Sequence, residues 1–225
     1  MANRLRYIRH PEYVLPPRRA FIIGVGGVGS WTALFLAIAG VQEITIVDGD
    51  IVEEHNLIRT PFMETFVGVK KVDALKTLIN IVRPTTTVNI IDDYVGNVND
   101  ISLAYEDIVI DTTDSPELHI ALEEKCRRLG IKFVRANYDF YPETRMFQTT
   151  NLFGHLELDK KEWGEPEQQQ GYRENRSYIT PAVLSAIIAV DFILKMSSFP
   201  QTKSFIKGYI YPNIFKEGIK VEKVI

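Results

Sequence analysis

Cysteine is nearly absent from this chain: its 225 residues contain one, Cys126. A single cysteine excludes a disulfide framework within the chain and any zinc site built from several cysteines. A surplus of charge of one sign is also lacking, because 26 lysine and arginine residues are balanced by 29 aspartate and glutamate residues. The net charge of −3 gives no electrostatic reason to expect nucleic acid or an anionic membrane as a partner.

Long hydrophobic runs are missing as well. The first residues, MANRLRYIRHPEY, lack the apolar stretch of a secretion signal. The most apolar predicted helix, 181–196, is shorter than a membrane span and contains Asp191. We therefore expect a cytoplasmic protein with no membrane partner. Its length and its 45% apolar composition fit one soluble globular domain over residues 1–225.

A glycine-rich turn is the most informative feature that the chain does contain. Residues 20–23 are a short apolar run typical of a buried strand, and an apolar helix is predicted over 28–39. Between them, Gly24, Gly26 and Gly29 fit the pattern G-x-G-x-x-G. In that pattern the first glycine permits a tight turn, the second lets the backbone approach a phosphate, and the third lets helix and strand pack closely. The turn therefore presents backbone amides and a helix N-terminus to an anion.

An acidic residue follows the second predicted strand. Asp48 lies 19 residues after Gly29, at a position where a carboxylate accepts hydrogen bonds from a ribose. Together the turn and the acid predict a nucleotide site. A tight turn with a purely structural role is the alternative.

Strands and helices alternate through residues 19–136, which we interpret as the nucleotide-binding half. Further helices are predicted over 70–82 and 116–129, and further strands over 87–91, 108–111 and 132–136. This alternation predicts an α/β, Rossmann-like fold with a mostly parallel sheet flanked by helices. Ligands of such sheets bind beyond the carboxyl ends of the strands, so the glycine turn, Asp48 and residues 111–114 should share one crevice.

The character of the chain changes in residues 137–225. Residues 137–150 are rich in aromatic and β-forming types and predict added antiparallel strands, as do short segments near the C-terminus. Residues 155–179 are strongly polar and have no sustained periodicity. Such a segment is either a solvated surface loop or a loop that crosses over the site.

Five short motifs give the chain a resemblance to the ThiF/MoeB superfamily of ATP-dependent adenylating enzymes, which are related to ubiquitin activation. The motifs are RYIRH at 6–10, GVGGVGS at 24–30, DGDIVEEHNLIR at 48–59, VGVKK at 67–71 and DTTD at 111–114. They cover about the first 136 residues in the order and spacing of the family. The resemblance implies a homodimeric adenylyltransferase that uses ATP and Mg²⁺. It further implies, as the most plausible substrate, the C-terminal carboxylate of a small ubiquitin-like or sulfur-carrier protein.

The same resemblance implies roles for individual residues. The residues that it assigns to the nucleotide are Gly24, Gly26, Gly27, Gly29, Asp48, Asp50 and Asn56, with Asp48 on the ribose. The residues that it assigns to the reaction are Arg59 and Lys71 on the phosphates, Asp114 as the magnesium ligand, and Arg9 reaching the γ-phosphate across a dimer interface.

Each charged residue has a structural alternative. Lys70 and Lys71 fit a solvated helix start, Arg59 and Arg9 fit a solvated surface, Asp50 fits a turn, and Asp114 fits a cap for the following helix.

Several positions depart from the family pattern. His10, Thr60 and Ser115 stand where the family usually has Gln, Gln and Asn, and His119 stands where it often has Arg. We expect a structural role for His119. Cys126 lies in a predicted helix rather than in the crossing loop, which predicts an inert thiol and no thioester on this chain.

Two rival functions remain compatible with parts of the sequence. The glycine turn and Asp48 alone also suit an NAD-dependent oxidoreductase, although the cations and Asp114 disfavour it. The departures and the missing loop cysteine also suit a nucleotide-binding scaffold without catalysis.

Overall fold

One sheet contains every strand of the described residues. The computed structural model describes residues 16–103, 107–141, 146–154, 178–196, 204–211 and 218–223. The strands are β1 (Arg19–Ile23), β2 (Glu43–Val47), β3 (Thr87–Ile91), β4 (Asp107–Asp111), β5 (Lys132–Tyr141), β6 (Met146–Phe153), β7 (Ser204–Ile210) and β8 (Ile219–Lys223). The α-helices are α1 (Gly27–Ala39), α2 (Lys71–Val82), α3 (Pro116–Leu129) and α4 (Ile179–Lys195). Arg9, the RYIRH motif and nearly all of 155–179 lie outside the described residues.

The strand order is β3-β2-β1-β4-β5-β6-β7-β8. The first five strands are parallel, and β6, β7 and β8 are added in antiparallel fashion. This is the predicted Rossmann-like α/β fold with antiparallel strands toward the C-terminus. In the register of β1, Ile23 lies beside Val47 of β2 and Asp111 of β4. The turns after these three strands therefore begin at the same edge of the sheet.

Both faces of β1 are buried, which explains its continuous apolar sequence over 20–23. Ala20 and Ile22 of β1 belong to a core shared with α1, α2 and α4. Phe21 and Ile23 belong to a second core shared with α3. Successive side chains of a strand point to opposite faces, so one five-residue strand anchors helices on both sides of the sheet.

The predicted elements differ from the observed ones mainly at β5. The strand was predicted over 132–136 and continues to Tyr141. Its first residues pair with β4 as far as Arg135, whereas pairing with β6 extends along Val134 to Tyr141. The second half of β5 therefore passes beyond the end of β4. In the described parts of the chain, no helix has the length and apolarity needed to cross a membrane.

Candidate nucleotide site

A cavity of about 730 Å³ lies at the carboxyl edge of the parallel strands. It is lined by the turns that follow β1, β2, β3 and β4 and by the second half of β5. The chain leaves β1 toward β2 and leaves β4 toward β5, so the cavity occupies the topological switch point where Rossmann-like sheets bind ligands. Its volume is in the range usual for small-molecule sites. The predicted site residues that line it are Gly24, Gly26, Gly27, Asp48, Asp50, Asn56, Arg59, Lys71 and Asp114.

The glycine turn has the geometry that its pattern predicts. Gly24 adopts a left-handed conformation, with φ of +82°, which favours glycine. A Cβ on Gly29 would lie 1.9 Å from the carbonyl oxygen of Gly24 and 2.5 Å from Oγ1 of Thr112. Only a glycine at position 29 lets α1 pack this closely on the turn. A Cβ on Gly26 would meet nothing within 4 Å, which leaves room for a ligand above the turn, although binding there stays a prediction.

Asp48 connects the turn after β1 to the turn after β2. Its Oδ2 accepts a hydrogen bond from the backbone N–H of Val25 at 2.8 Å, and its Oδ1 accepts one from the N–H of Asp50 at 2.9 Å. Each carboxylate oxygen has a second lone pair. The carboxylate therefore holds the two turns together and retains acceptor capacity toward a ribose.

Lys71 and Asp50 form an ion pair inside the cavity. Nζ of Lys71 lies 2.7 Å from Oδ2 of Asp50, and Lys71 is 8% exposed. The hydroxyl of Tyr94 donates a hydrogen bond to Oδ1 of the same carboxylate. Partial burial raises the pKa of Asp50, but the hydrogen bonds from Lys71 and Tyr94 outweigh it and hold the pKa below its ordinary value. Asp50 is therefore a charged carboxylate that fixes the lysine.

The neighbouring lysine lies at the rim. Nζ of Lys70 donates to the carbonyl oxygen of Gly49 and lies 3.0 Å from Oδ1 of Asp92. Of the two lysines, Lys71 is the one that points into the cavity, as the motif alignment indicated. Of the two residues, Lys70 is therefore the one that fits the structural alternative, a solvated lysine at a helix start.

Arg59 and Asn56 come from the turn after β2. Nη1 of Arg59 donates to the carbonyl oxygen of His55 at 3.1 Å, and Cδ of Arg59 approaches the position that a Cβ on Gly27 would occupy. The half-buried arginine therefore lies against the start of α1 rather than in open solvent. Asn56 is buried, and its Oδ1 accepts from the N–H of Glu53 at 3.1 Å. This bond holds the turn that carries Arg59.

Asp114 ends the turn after β4 and is exposed to the cavity. The helix cap proposed for it is instead supplied by Ser115, whose Oγ accepts from the N–H of Leu118 at 3.3 Å. The cap alternative for Asp114 is therefore wrong. Nδ2 of Asn137 lies 3.4 Å from Oδ1 of Asp114, so the second half of β5 approaches this carboxylate.

The polar and aromatic cavity residues that the sequence did not identify include Tyr94, Tyr138 and Asp139. Tyr94 follows β3 at the edge where ligands bind, and that position is a signal that could have identified it. Tyr138 and Asp139 lie beyond the predicted end of β5. Burial, followed by the charge of Asp114, raises the pKa of Asp139.

Other departures from the family pattern have structural explanations. Thr60 is buried and donates from Oγ1 to the carbonyl oxygen of Asn56 at 2.9 Å, which closes the turn that carries Arg59. Cys126 is fully buried in α3, and burial raises the pKa of its thiol to about 12. That thiol is protonated at neutral pH, in agreement with the predicted inert cysteine.

The donor set fits a magnesium nucleotide. No cluster of three or more His, Cys, Asp or Glu suitable for a metal occurs within the described ranges. Mg²⁺ in nucleotide sites typically uses only one or two carboxylates together with phosphate oxygens. Asp114 places one carboxylate at the cavity edge. The glycine turn, Arg59 and Lys71 offer amides and cations for the phosphates.

The fold and the cavity define a Rossmann-like α/β domain with a site suited to a phosphorylated nucleotide. The ThiF family model matches residues 14–223, and the chain belongs to the ThiF family. This confirms the resemblance found in the motifs.

Curated relatives match about half of the chain. The chain is 34% identical over 129 residues to the tRNA threonylcarbamoyladenosine dehydratase of Haemophilus influenzae, which covers 55% of this chain and 49% of the relative. It is 32% identical over 126 residues to the SAMP-activating enzyme E1 of Haloferax volcanii, covering 54% of this chain and 46% of that protein. The chain therefore spans about half the length of these relatives, or less.

Solved structures match over nearly the whole chain. E. coli MccB with MccA-N7isoASN superposes with a TM-score of 0.71 at 19% identity, covering 93% of this chain and 64% of that chain. E. coli MccB with ATP gives a TM-score of 0.69 at 20% identity, with the same coverage. At this identity the likeness supports the fold.

Proposed function

We propose that this protein uses ATP and Mg²⁺ to adenylate a carboxylate. The observation that carries the proposal is the ion pair between the buried Lys71 and the partly exposed Asp50, which lies in the same cavity as the glycine turn and Arg59. A lysine held in place beside an anion-binding turn can stabilise the negative charge of a bound triphosphate. Family membership and relatives named as activating enzymes or adenylyltransferases support it further.

In the proposed reaction a carboxylate oxygen of the substrate attacks the α-phosphorus of ATP. A new bond joins that oxygen to phosphorus, and the bond between the α-phosphorus and the β-phosphate oxygen breaks and releases pyrophosphate. Both reactants are anions, so the site must bring cations to them and align them. No protein group needs to accept a proton, since the attacking carboxylate is already ionised.

Individual residues take roles that follow from their positions. Asp48 accepts from the ribose while it holds the glycine turn, and Arg59 and Lys71 bind phosphate oxygens. Mg²⁺, when bound, contributes positive charge to the phosphate oxygens, and Asp114 is the residue that would hold it. Asp50 keeps Lys71 in position, and Tyr94 keeps Asp50 in position.

The acyl substrate in this proposal is the C-terminus of a small ubiquitin-like or sulfur-carrier protein, taken by a homodimer. The support comes from relatives such as the SAMP-activating enzyme E1 and the adenylyltransferase and sulfurtransferase UBA4 of Eremothecium gossypii. Another relative is named as a dehydratase of a modified tRNA nucleoside. The names of the relatives therefore differ in substrate, and candidate carboxylates must be compared directly.

The NAD-dependent alternative receives less support. A hydride carrier has no need of a carboxylate for magnesium or of two cations aimed at a triphosphate. A scaffold that binds ATP without turnover would share every contact described above, so turnover is the measurement that separates it from an enzyme.

Two experiments test the proposal. First, equilibrium binding should show that ATP with Mg²⁺ binds more tightly than NAD, and that removing Mg²⁺ weakens ATP. Tighter binding of NAD, with no effect of magnesium, contradicts adenylation. Second, exchange of labelled pyrophosphate into ATP should require the correct carboxylate, tested with small proteins ending in Gly-Gly and with peptides. ATP binding without exchange for any of them favours the scaffold.

A further inference from the structure

A buried pair of polar side chains, Asp111 and His119, lies under the turn that carries Asp114. Asp111 is the last residue of β4 and is fully buried, and His119 of α3 is 1% exposed. Nδ1 of His119 lies 2.9 Å from Oδ2 of Asp111. A buried carboxylate is costly unless its oxygens are hydrogen-bonded. The partners of Asp111 are therefore held in defined places.

The second oxygen of Asp111 binds the turn itself. Oδ1 accepts from the backbone N–H of Thr113 at 2.9 Å and from Oγ1 of Thr113 at 2.7 Å. Thr113 lines the cavity and directly precedes Asp114. One carboxylate oxygen of Asp111 thus contacts α3, and the other binds the turn, so Asp111 connects the two.

The opposite side of the turn is attached to the glycine turn. Oγ1 of Thr112 donates to the carbonyl oxygen of Gly24 at 2.6 Å, and the N–H of Thr112 donates to the carbonyl oxygen of Ile23 at 3.0 Å. Residues 112–114 are therefore held between two anchors. One is the phosphate-facing turn after β1, and the other is the pair of Asp111 and His119.

A buried cationic residue lies beside Asp111 on the next strand. Arg135 lies in register beside Asp111 and is buried, and a guanidinium stays protonated in proteins. Burial and, next, the charge of Arg135 lower the pKa of His119, against opposing effects of Asp111 and Glu123. The ring of His119 also packs on Phe133, with centroids 5.3 Å apart. A neutral imidazole can donate its Nδ1–H to Asp111.

We infer that His119 is a positioning residue of the site: it orients Asp111, which orients Thr113 and so the turn from which Asp114 enters the cavity. The inference deepens the proposed function and rests on it only for the role of Asp114 toward Mg²⁺. It goes beyond the purely structural role expected for His119 from the sequence. His119 touches neither the cavity nor a substrate and acts through Asp111.

Three variants and one control test this. His119→Phe keeps a ring of similar size and removes the donor to Asp111. His119→Gln offers an amide donor and serves as the rescue. Thr113→Val removes one of the two bonds to Asp111 and leaves the backbone N–H in place. Thr77→Val, on the exposed side of α2, is the matched threonine control.

The first measurement is amide hydrogen exchange at residues 113 and 114, which needs no ligand. Losing one buried hydrogen bond should speed local exchange about tenfold in His119→Phe and Thr113→Val. His119→Gln should recover most of the protection, and Thr77→Val should match the wild type. The second measurement is the Mg²⁺ concentration that half-saturates ATP binding, which should rise about tenfold in the same two variants.

The outcomes separate the inference from the proposed function. If His119→Phe lowers global stability but leaves exchange at 113–114 and the magnesium requirement unchanged, the positioning role is wrong. If His119→Phe does not fold, amide exchange at 113–114 and the magnesium requirement of Thr113→Val test the positioning role instead. If the wild type binds no ATP with Mg²⁺, the proposed function fails, and local exchange still decides whether His119 orders the turn.

Discussion

Nζ of Lys71 lies 2.7 Å from Oδ2 of Asp50, and this contact distinguishes two adjacent lysines that the sequence separates only through the family motif. Lys71 is the first residue of α2 and points into the cavity, whereas Lys70 precedes the helix and pairs with Asp92 at the rim. The isolated bridge between Ile51 and Lys70 fixes this arrangement, because it brings the turn after β2 against the start of α2.

Lys71→Met should reduce pyrophosphate exchange by about 10²–10³, the usual effect of removing one group that stabilises developing charge. Lys70→Met is the matched control and should lower exchange far less, since its ammonium binds Gly49 and Asp92 rather than the cavity. Both variants should be compared by exchange rate and by ATP affinity. Equal losses in the two variants would show that the inward lysine has no special role.

Asp114→Asn should abolish most of the exchange while the melting temperature stays close to that of the wild type. The side chain is exposed to the cavity, and Ser115 caps α3 in its place, so the fold does not depend on the carboxylate. In this variant, the affinity for ATP should also depend less on Mg²⁺ than in the wild type. Near-native exchange in this variant would remove Asp114 from the metal site.

The fold was predictable to a large extent because strands such as β1, which is buried on both faces, produce short, continuous apolar runs. The bounds of β3 and α3 were predicted as observed. Residues 137–141 were predicted to belong to added antiparallel strands, but not to continue β5. The β-forming residue types indicated the strand, whereas its continuity with β5 depends on the pairing with β6. The sequence therefore did not place Tyr138 and Asp139 at the cavity.

The candidate site shows the same division between local and long-range information. The glycine turn and Asp48 follow a spacing that local chain geometry requires, and the structure brings them together. The position of Tyr94 after β3 indicates the correct edge of the sheet, but its orientation depends on its ring lying against Gly49 and its hydroxyl on Asp50. Those contacts join turns after different strands. Motif spacing does not encode them.

Gly29→Ala and Gly26→Ala should have opposite consequences. A methyl group at position 29 would collide with the carbonyl oxygen of Gly24, so unfolding free energy should fall by about 1–3 kcal/mol or more. A methyl group at position 26 would meet no protein atom, so stability should change little while ATP affinity falls, because the methyl occupies space above the turn. Denaturant unfolding and ATP titration measure the two effects. A destabilised Gly26→Ala with normal ATP affinity would contradict the assigned roles.

Stability should rise with pH through the titration range of His119. Burial lowers the folded-state pKa of His119 below its ordinary value of 6.5, so the unfolded chain binds a proton more readily than the folded chain. The free energy of unfolding should therefore fall as the pH drops below about 6.5 toward the folded-state pKa. His119→Gln cannot titrate, and its stability should depend less on pH over that range. Denaturant unfolding of both proteins at several pH values, with the imidazole followed by NMR, measures the difference. An identical pH dependence in the two proteins would show that His119 has no shifted titration in the folded state.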